Sequence, residues 1–188
     1  MTDSRITLIL GGARSGKSTF GERLAKESGL PVTYIATANA KDAEMERRIE
    51  IHKSRRPAEW STWEGAPRDL PDAVAGMKGV LLLDCMTLWL TRLFLEDDIA
   101  EKGSEDAWQT EETEIRALVE ALCKSPAPDA KLIIISNEVG FGLVPPYLMG
   151  RRFRDLQGRV NQLCAAEADR VALVVAGCPL WVKGTGEE

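Results

Sequence analysis

Apolar and polar positions along this chain fall into two kinds of block with different periods. Short, mostly apolar runs occur at residues 6–10, 32–36, 79–84, 132–135 and 171–175. Each is too short for a buried helix, several are rich in Val and Ile, and Gly, Pro or polar clusters bound them. That pattern predicts strands buried on both faces. Between them the period lengthens to that of a helix. Helices are expected over 18–28 (stopped at Gly29, with Pro31 beyond), 42–53, 67–77, 86–95, 110–124 and 151–168. Over 110–124, Ile115, Leu118, Val119 and Leu122 share one face. Trp60, Thr62 and Trp63 predict one further short strand. Residues 96–106 are acidic and contain glycine, and read as an exposed, mobile loop. The stretch 125–129 (SPAPD) reads as a turn and 139–150 as a Gly- and Pro-rich loop.

Strands alternating with helices at this spacing predict an α/β fold in three layers: a mostly parallel central sheet with helices on both faces. No repeat, low-complexity tract or linker interrupts the alternation, so residues 1–188 read as a single domain.

The loop between the first strand and first helix carries the chemistry. Residues 8–19, LILGGARSGKST, contain G-x-x-x-x-G-K-S at Gly11, Gly16, Lys17 and Ser18. In this phosphate-binding pattern successive backbone N–H groups cradle a phosphate, the lysine reaches the outer phosphates, and the serine hydroxyl holds Mg²⁺. The positive end of the following helix serves the same anion. Such a match arises by chance in roughly one chain of this length in a hundred, and its strand–loop–helix setting sharpens it. Residues 79–84, GVLLLD, supply the companion signal, an apolar strand whose terminal Asp84 addresses Mg²⁺. The sequence therefore predicts a triphosphate-binding fold of the P-loop NTPase type.

His52 is the only histidine. A lone helical histidine is usually structural. Here it falls on one face with Met45 and Ile49 and is followed by Lys53, Arg55 and Arg56. Neutral imidazole is a competent nucleophile at phosphorus, and neighbouring cations would keep it neutral and stabilise the developing charge. The three cations also suit simple capping of a helix end. The arginines of 151–159 read either as a solvated face or as contacts to an anionic substrate or a second subunit. Asn137 and Glu138 end a strand on the ligand edge, where they would orient a substrate hydroxyl or a water. Glu64 follows a short strand and could accept from a base or ribose.

Bulk properties narrow the function classes. A net charge of −5 argues against a nucleic-acid-coating surface, so no nucleic-acid partner is expected. No segment reaches the roughly 18 apolar residues of a membrane helix. The opening MTDSRITLIL lacks a signal-peptide layout, and Cys85, Cys123, Cys164 and Cys178 show no C-x-x-C pairing, so reduced thiols and a cytoplasmic location are expected.

Taken in order, several blocks resemble the bifunctional adenosylcobinamide kinase / adenosylcobinamide-phosphate guanylyltransferase family of cobalamin biosynthesis. They are GGARSGKS (11–18), YIAT (34–37), RIEIHKSRRPAEW (48–60), LLLDC (81–85), NEVGFGLVP (137–145), RRFRDLQGRVNQ (151–162) and ADRVALVVAG (168–177). The resemblance implies two reactions on one corrinoid. ATP or GTP phosphorylates the aminopropanol hydroxyl of adenosylcobinamide. GMP from GTP is then joined to that phosphate through a GMP–histidine intermediate, giving adenosyl-GDP-cobinamide and pyrophosphate. Carried over residue by residue, the histidine is His52. The nucleotide contacts are Gly11, Gly12, Ala13, Arg14, Ser15, Gly16, Lys17 and Ser18, then Ala36, Thr37 and Ala38, then Lys53, Ser54, Arg55 and Arg56, with Glu64 and Asp84. Ser18 and Asp84 serve Mg²⁺, and Lys17 joins His52 in catalysis. Some relatives carry a second histidine where this chain has Ile51, and many have Ser where it has Ala38. The apolar residues Trp89, Leu93 and Phe94 are a candidate subunit surface, and the resemblance implies a homo-oligomer, a trimer among the expected forms. Two other readings stay open on the residues alone: a small-molecule kinase with a structural His52, and a nucleotide-dependent switch without transfer chemistry.

Overall fold

The computed structural model describes residues 4–38, 47, 50, 56–96 and 98–184. His52, Lys53, Ser54 and Arg55 lie outside the described residues, as does the predicted 42–53 helix apart from Arg47 and Glu50.

The described strands are β1 (Ile6–Gly11), β2 (Val32–Ala36), β3 (Ser61–Trp63), β4 (Val80–Asp84), β5 (Lys131–Asn137), β6 (Arg170–Val175) and β7 (Cys178–Lys183). They form one seven-stranded sheet in the order β3-β2-β4-β5-β1-β6-β7, with every pairing parallel except β6–β7. The described helices are α1 (Lys17–Glu27), α2 (Leu70–Ala75, entered through a 3₁₀ turn at Pro67–Asp69), α3 (Met86–Phe94), α4 (Ile99–Lys102), α5 (Glu105–Lys124) and α6 (Leu148–Glu167). α2, α3, α5 and α6 pack on one face around Leu8, Leu81, Leu83, Trp89, Ile115 and Val160. α1 covers the other face, where Phe20 and Ala25 meet Ile9, Leu82 and Ile135. Both faces are therefore sealed, as continuous apolar strands require. Burying each large side chain contributes roughly 1.5–3 kcal/mol.

Three elements differ from the sequence expectation. Residues 96–106 are not a plain exposed loop. They contain α4 and the first turn of α5, where the Ser104 hydroxyl accepts from the Ala107 N–H as an N-cap and Glu105 and Asp106 follow in the first turn. What holds this stretch is remote in sequence: Arg152 of α6, 7% exposed, donates to the carbonyls of Ile99, Ala100 and Gly103 and pairs with Glu105 at 3.0 Å. β7 is the second difference. The β6–β7 hairpin closes through Ala176 and Gly177, both at positive φ (50° and 82°), which is the two-residue turn whose twist matches antiparallel strands. Third, Trp89, Leu93 and Phe94 are not a subunit surface but core, none more than 4% exposed; the Trp89 indole N–H donates to Pro67 O at 2.8 Å. The most exposed large apolar side chains among the described residues lie instead in the loop after β5, where Phe141 is 84% and Leu143 97% exposed.

Arg152→Ala should destabilise the fold by about 2–3 kcal/mol in urea titration, because buried carbonyls lose their donor. Arg152→Lys should recover only part, lacking the fork that reaches several acceptors at once.

Candidate active site

Parallel pairing delivers the C-terminal ends of β1, β2, β4 and β5 to one edge. Gly11 stands opposite Asn137, Ala36 opposite Asp84, and Asp84 opposite Ile135. In open α/β sheets this edge is where ligands bind. The Gly11–Ser18 loop leaves β1 there and enters α1. Gly16 caps α1 at φ 95°, and a Cβ on it would sit 3.1 Å from Gly177 Cα, so the position admits glycine alone without strain. The β6–β7 turn latches the loop from behind, the Gly177 N–H donating to Ser15 O at 2.7 Å.

Lys17 opens α1 and is 8% exposed. Its ammonium donates to Gly12 O at 3.0 Å, folding back over the loop. Burial lowers its pKa below the lysine value of 10.5; Cys85 and Asp84 oppose the shift. Asp84 is held from two sides. The Ser18 hydroxyl donates to Oδ1 at 3.3 Å, and the Tyr34 hydroxyl to Oδ2 at 2.8 Å. The Arg56 guanidinium carbon lies 3.3 Å from the centroid of the Tyr34 ring. Burial first, and the Asp84 charge second, push the Tyr34 pKa far up, so the phenol keeps its proton. Cys85 is pushed up to about 11 for the same two reasons, and is a packed thiol rather than a nucleophile.

The other predicted positions separate into groups. Ala36 and Ala38 are half-buried at the edge. The Thr37 side chain is fully buried, its hydroxyl accepting from the Cys85 N–H at 2.7 Å and donating to Cys85 O at 2.9 Å. Thr37 thus fixes the chain just past Asp84. Glu64 is exposed and directly follows edge strand β3. Glu138 donates its N–H to Gly11 O, and its carboxylate accepts from the Gly140 N–H at 3.0 Å. Asn137 donates its N–H to Thr87 Oγ1, while Asn161 donates to Asn137 O. Asn161 belongs to a buried polar cluster: Ser136 donates to Asn161 Oδ1 at 2.7 Å, and Gln157 donates to both Ser136 Oγ and Asn161 Oδ1 at 3.0 Å.

Of the α6 arginines only Arg159 is exposed, and Arg151, Arg152 and Arg154 are half-buried or buried. Arg152 is structural, as above. Arg151 donates to the carbonyls of Pro145 and Pro146, Arg154 pairs with Asp155, and Arg159 pairs with Glu112. With Arg116 three of them (Arg151, Arg152 and Arg159) line a polar cavity between α5 and α6 whose lining includes no residue of the phosphate loop.

Two features of the site were not legible as motifs. Tyr34 reaches Asp84 because β2 pairs with β4 and the two residues stand diagonally across one face, Tyr34 opposite Leu82. Gln157 and Asn161, in RRFRDLQGRVNQ, secure the end of β5 from a helix whose side-chain direction the pattern does not reveal. The first follows from strand order and the second from the packing of α6 on β5, and the sequence carries no local signal for either.

Ser18 and Asp84 present hard oxygen donors at one point, suited to a cation that keeps waters and substrate phosphates as its remaining ligands. Among the described residues no group of three or more His, Cys, Asp and Glu side chains forms a dedicated metal cage. Ser15 Oγ, on the loop itself, is buried without a hydrogen-bond partner among the described residues. The arrangement suits binding a nucleoside triphosphate and transferring from it.

Lys17→Met should raise stability without nucleotide, measured by thermal unfolding at neutral pH, while abolishing triphosphate binding. The sign follows from the lowered pKa. The unfolded chain binds the proton more tightly, so holding Lys17 charged in the fold costs stability at neutral pH. That cost fades as pH rises toward 10.5.

Comparison with known proteins identifies the family. Residues 7–182 match the family model described as cobinamide kinase / cobinamide phosphate guanyltransferase. The chain is 48% identical over 181 residues to the bifunctional adenosylcobalamin biosynthesis protein CobP of Pseudomonas aeruginosa, covering 94% of this chain and 96% of that one. It is 40% identical over 185 residues to the Escherichia coli protein CobU of the same description, covering 94% and 98%. Among solved structures it is similar to an ATPase of a bacterial type III secretion system, with a TM-score of 0.54 at 12% identity. That match covers 90% of this chain and 50% of the ATPase, and speaks to the fold alone. Gly11–Ser18 and Asp84 at one sheet edge, within a chain matched almost end to end, make this protein a member of the cobinamide kinase / cobinamide phosphate guanyltransferase family of bifunctional enzymes.

Proposed function

We propose that residues 1–188 form one domain that phosphorylates the aminopropanol hydroxyl of adenosylcobinamide with ATP or GTP. The same domain then transfers GMP from GTP to the resulting phosphate through a GMP–His52 intermediate. The products are adenosyl-GDP-cobinamide and pyrophosphate. The observation that carries the reading is the convergence of Lys17, Ser18 and Asp84 on one side of the phosphate loop, inside a chain of this family.

In the first reaction the loop N–H groups of 12–18 and the Lys17 ammonium bind the β- and γ-phosphates. Ser18 and Asp84 would hold Mg²⁺, which supplies charge neutralisation at the phosphoryl oxygens. Asn137 and Glu138, beside Gly11, orient the acceptor hydroxyl. That oxygen attacks the γ-phosphorus, its proton passes to an oxygen of the transferred phosphoryl group, the bond to the bridging oxygen breaks, and the nucleoside diphosphate leaves. In the second reaction the neutral His52 imidazole attacks the α-phosphorus of GTP and pyrophosphate leaves. An oxygen of the corrinoid phosphate then displaces the imidazole. Two in-line steps replace one, with Lys53, Ser54, Arg55 and Arg56 next to the histidine holding the phosphates. Ala36, Thr37, Ala38 and Glu64 would meet the nucleoside, Thr37 through its backbone since its hydroxyl is spent on Cys85.

Two further features belong to the reading. A homo-oligomer, with a trimer as the first form to test, would cover Phe141, Leu143, Val144 and Tyr147, which crowd one loop with more than half of each side chain exposed. A cytoplasmic location is supported by four free cysteines, three of them buried. No helix among the described residues is long and apolar enough to cross a membrane.

Intact-protein mass spectrometry after incubation with GTP and Mg²⁺ tests the central claim. The wild type should gain the mass of one GMP, acid-labile, and His52→Ala should gain none while still phosphorylating adenosylcobinamide. Absence of the adduct in wild type, with no pyrophosphate released, would leave a kinase or a switch.

A further inference from the structure

Tyr34 is the side chain at the site that the proposed chemistry leaves unused. It is 2% exposed, yet its hydroxyl is not a passenger of the core. It donates to Asp84 Oδ2 at 2.8 Å, a short charge-assisted bond inside the protein. Oδ1 of the same carboxylate faces the Ser18 hydroxyl at 3.3 Å. A carboxylate pinned through one oxygen has its other oxygen aimed, and here it is aimed at the phosphate loop. The opposite partner of Tyr34 is Arg56. Its guanidinium carbon stands 3.3 Å from the ring centroid, while its Nε–H is buried and has no hydrogen-bond partner among the described residues. Stacking orients the guanidinium plane without consuming that N–H, so a donor stays available to an anion. One residue of β2 therefore touches both the acid that ends β4 and the arginine that precedes β3.

We propose that Tyr34 is a positioning residue that aligns the metal-binding oxygen of Asp84 through its hydroxyl and seats Arg56 for a nucleotide phosphate through its ring. The inference rests on the kinase and guanylyltransferase reading of the site. It assigns the two halves of one side chain to two separable tasks. Groups that orient a metal ligand from behind typically govern metal affinity by about 10- to 100-fold when removed. Loss of the hydroxyl alone should reach the metal and spare the nucleotide; loss of the ring should reach both.

The test uses the full-length protein and two probes, Mn²⁺ followed by electron paramagnetic resonance and GTP followed by calorimetry. Tyr34→Phe keeps the ring. It should weaken Mn²⁺ binding in the presence of a non-hydrolysable GTP analogue by about 10- to 100-fold, and leave GTP affinity in EDTA at the wild-type value. Tyr34→Leu should weaken both. An unchanged Mn²⁺ affinity in Tyr34→Phe overturns the proposal while leaving the two reactions standing. A wild type that binds neither GTP nor Mn²⁺ overturns the functional reading and the proposal with it. A second measurement does not depend on how the Tyr34 variants fold. In Tyr147→Phe, Tyr34 is the single tyrosine left of the two, and the tyrosine Fermi doublet in ultraviolet resonance Raman reports its hydroxyl. A strong-donor doublet is expected with and without Mn²⁺ and nucleotide; the doublet of a water-exposed phenol would overturn the assignment.

Discussion

The parallel ladder that joins β2, β4, β5 and β1 governs the rest of the molecule. Strands running the same way must end together, so Ala36, Asp84, Asn137 and Gly11 reach one edge in register. The ladder also demands cover on both faces, because its strands are apolar throughout. α1 supplies one cover, and since α1 grows directly out of the phosphate loop, the helix that seals the sheet also points its positive end at the ligand edge. Core packing and the anion site are in this sense one construction.

Holding polar groups at that edge costs stability, and the structure offsets the cost locally. Lys17 is buried with its ammonium bonded to its own loop. Asp84 receives two hydroxyl donors, and Thr37 uses both hydrogen-bonding capacities of its hydroxyl to clamp Cys85. The end of β5 is secured by the Ser136–Gln157–Asn161 cluster, so α6 acts as a brace for the strand that lies between the loop strand and the acid strand. Asp84, Thr37 and Ser136 each find partners on another element, while Lys17 is bonded within its own loop. That arrangement leaves little slack at the site and lets a change in one element be felt across the edge.

The apolar loop after β5 stands apart from this economy. Phe141 and Leu143 are almost wholly exposed beside a site otherwise lined by polar groups. Such a patch is unusual for a side chain with nothing further to bury, and it sits on the same edge as the phosphate loop because it follows Asn137 directly.

Local sequence determined what depends on neighbours along the chain. Apolar runs and turn residues placed all the core strands but β7. The glycine spacing set the phosphate loop, since φ 95° at Gly16 is a demand of its own backbone. Asp84 was legible because it ends an apolar run. Tertiary structure alone decided what depends on strand order and on residues far apart. The 96–106 segment looked like a loop because the groups that cap it belong to Arg152, some fifty positions downstream. β7 escaped notice because an exposed antiparallel edge strand lacks the continuous apolar run of its neighbours. Trp89, Leu93 and Phe94 looked like a subunit surface because an apolar helix face does not say whether the chain's own core or a second subunit covers it. Tyr34 was read as a strand residue of the core, which it is. Only the pairing of β2 with β4 placed its hydroxyl on Asp84, since a register between distant strands is set by the packing of whole faces and by no residue pair the chain can announce in advance.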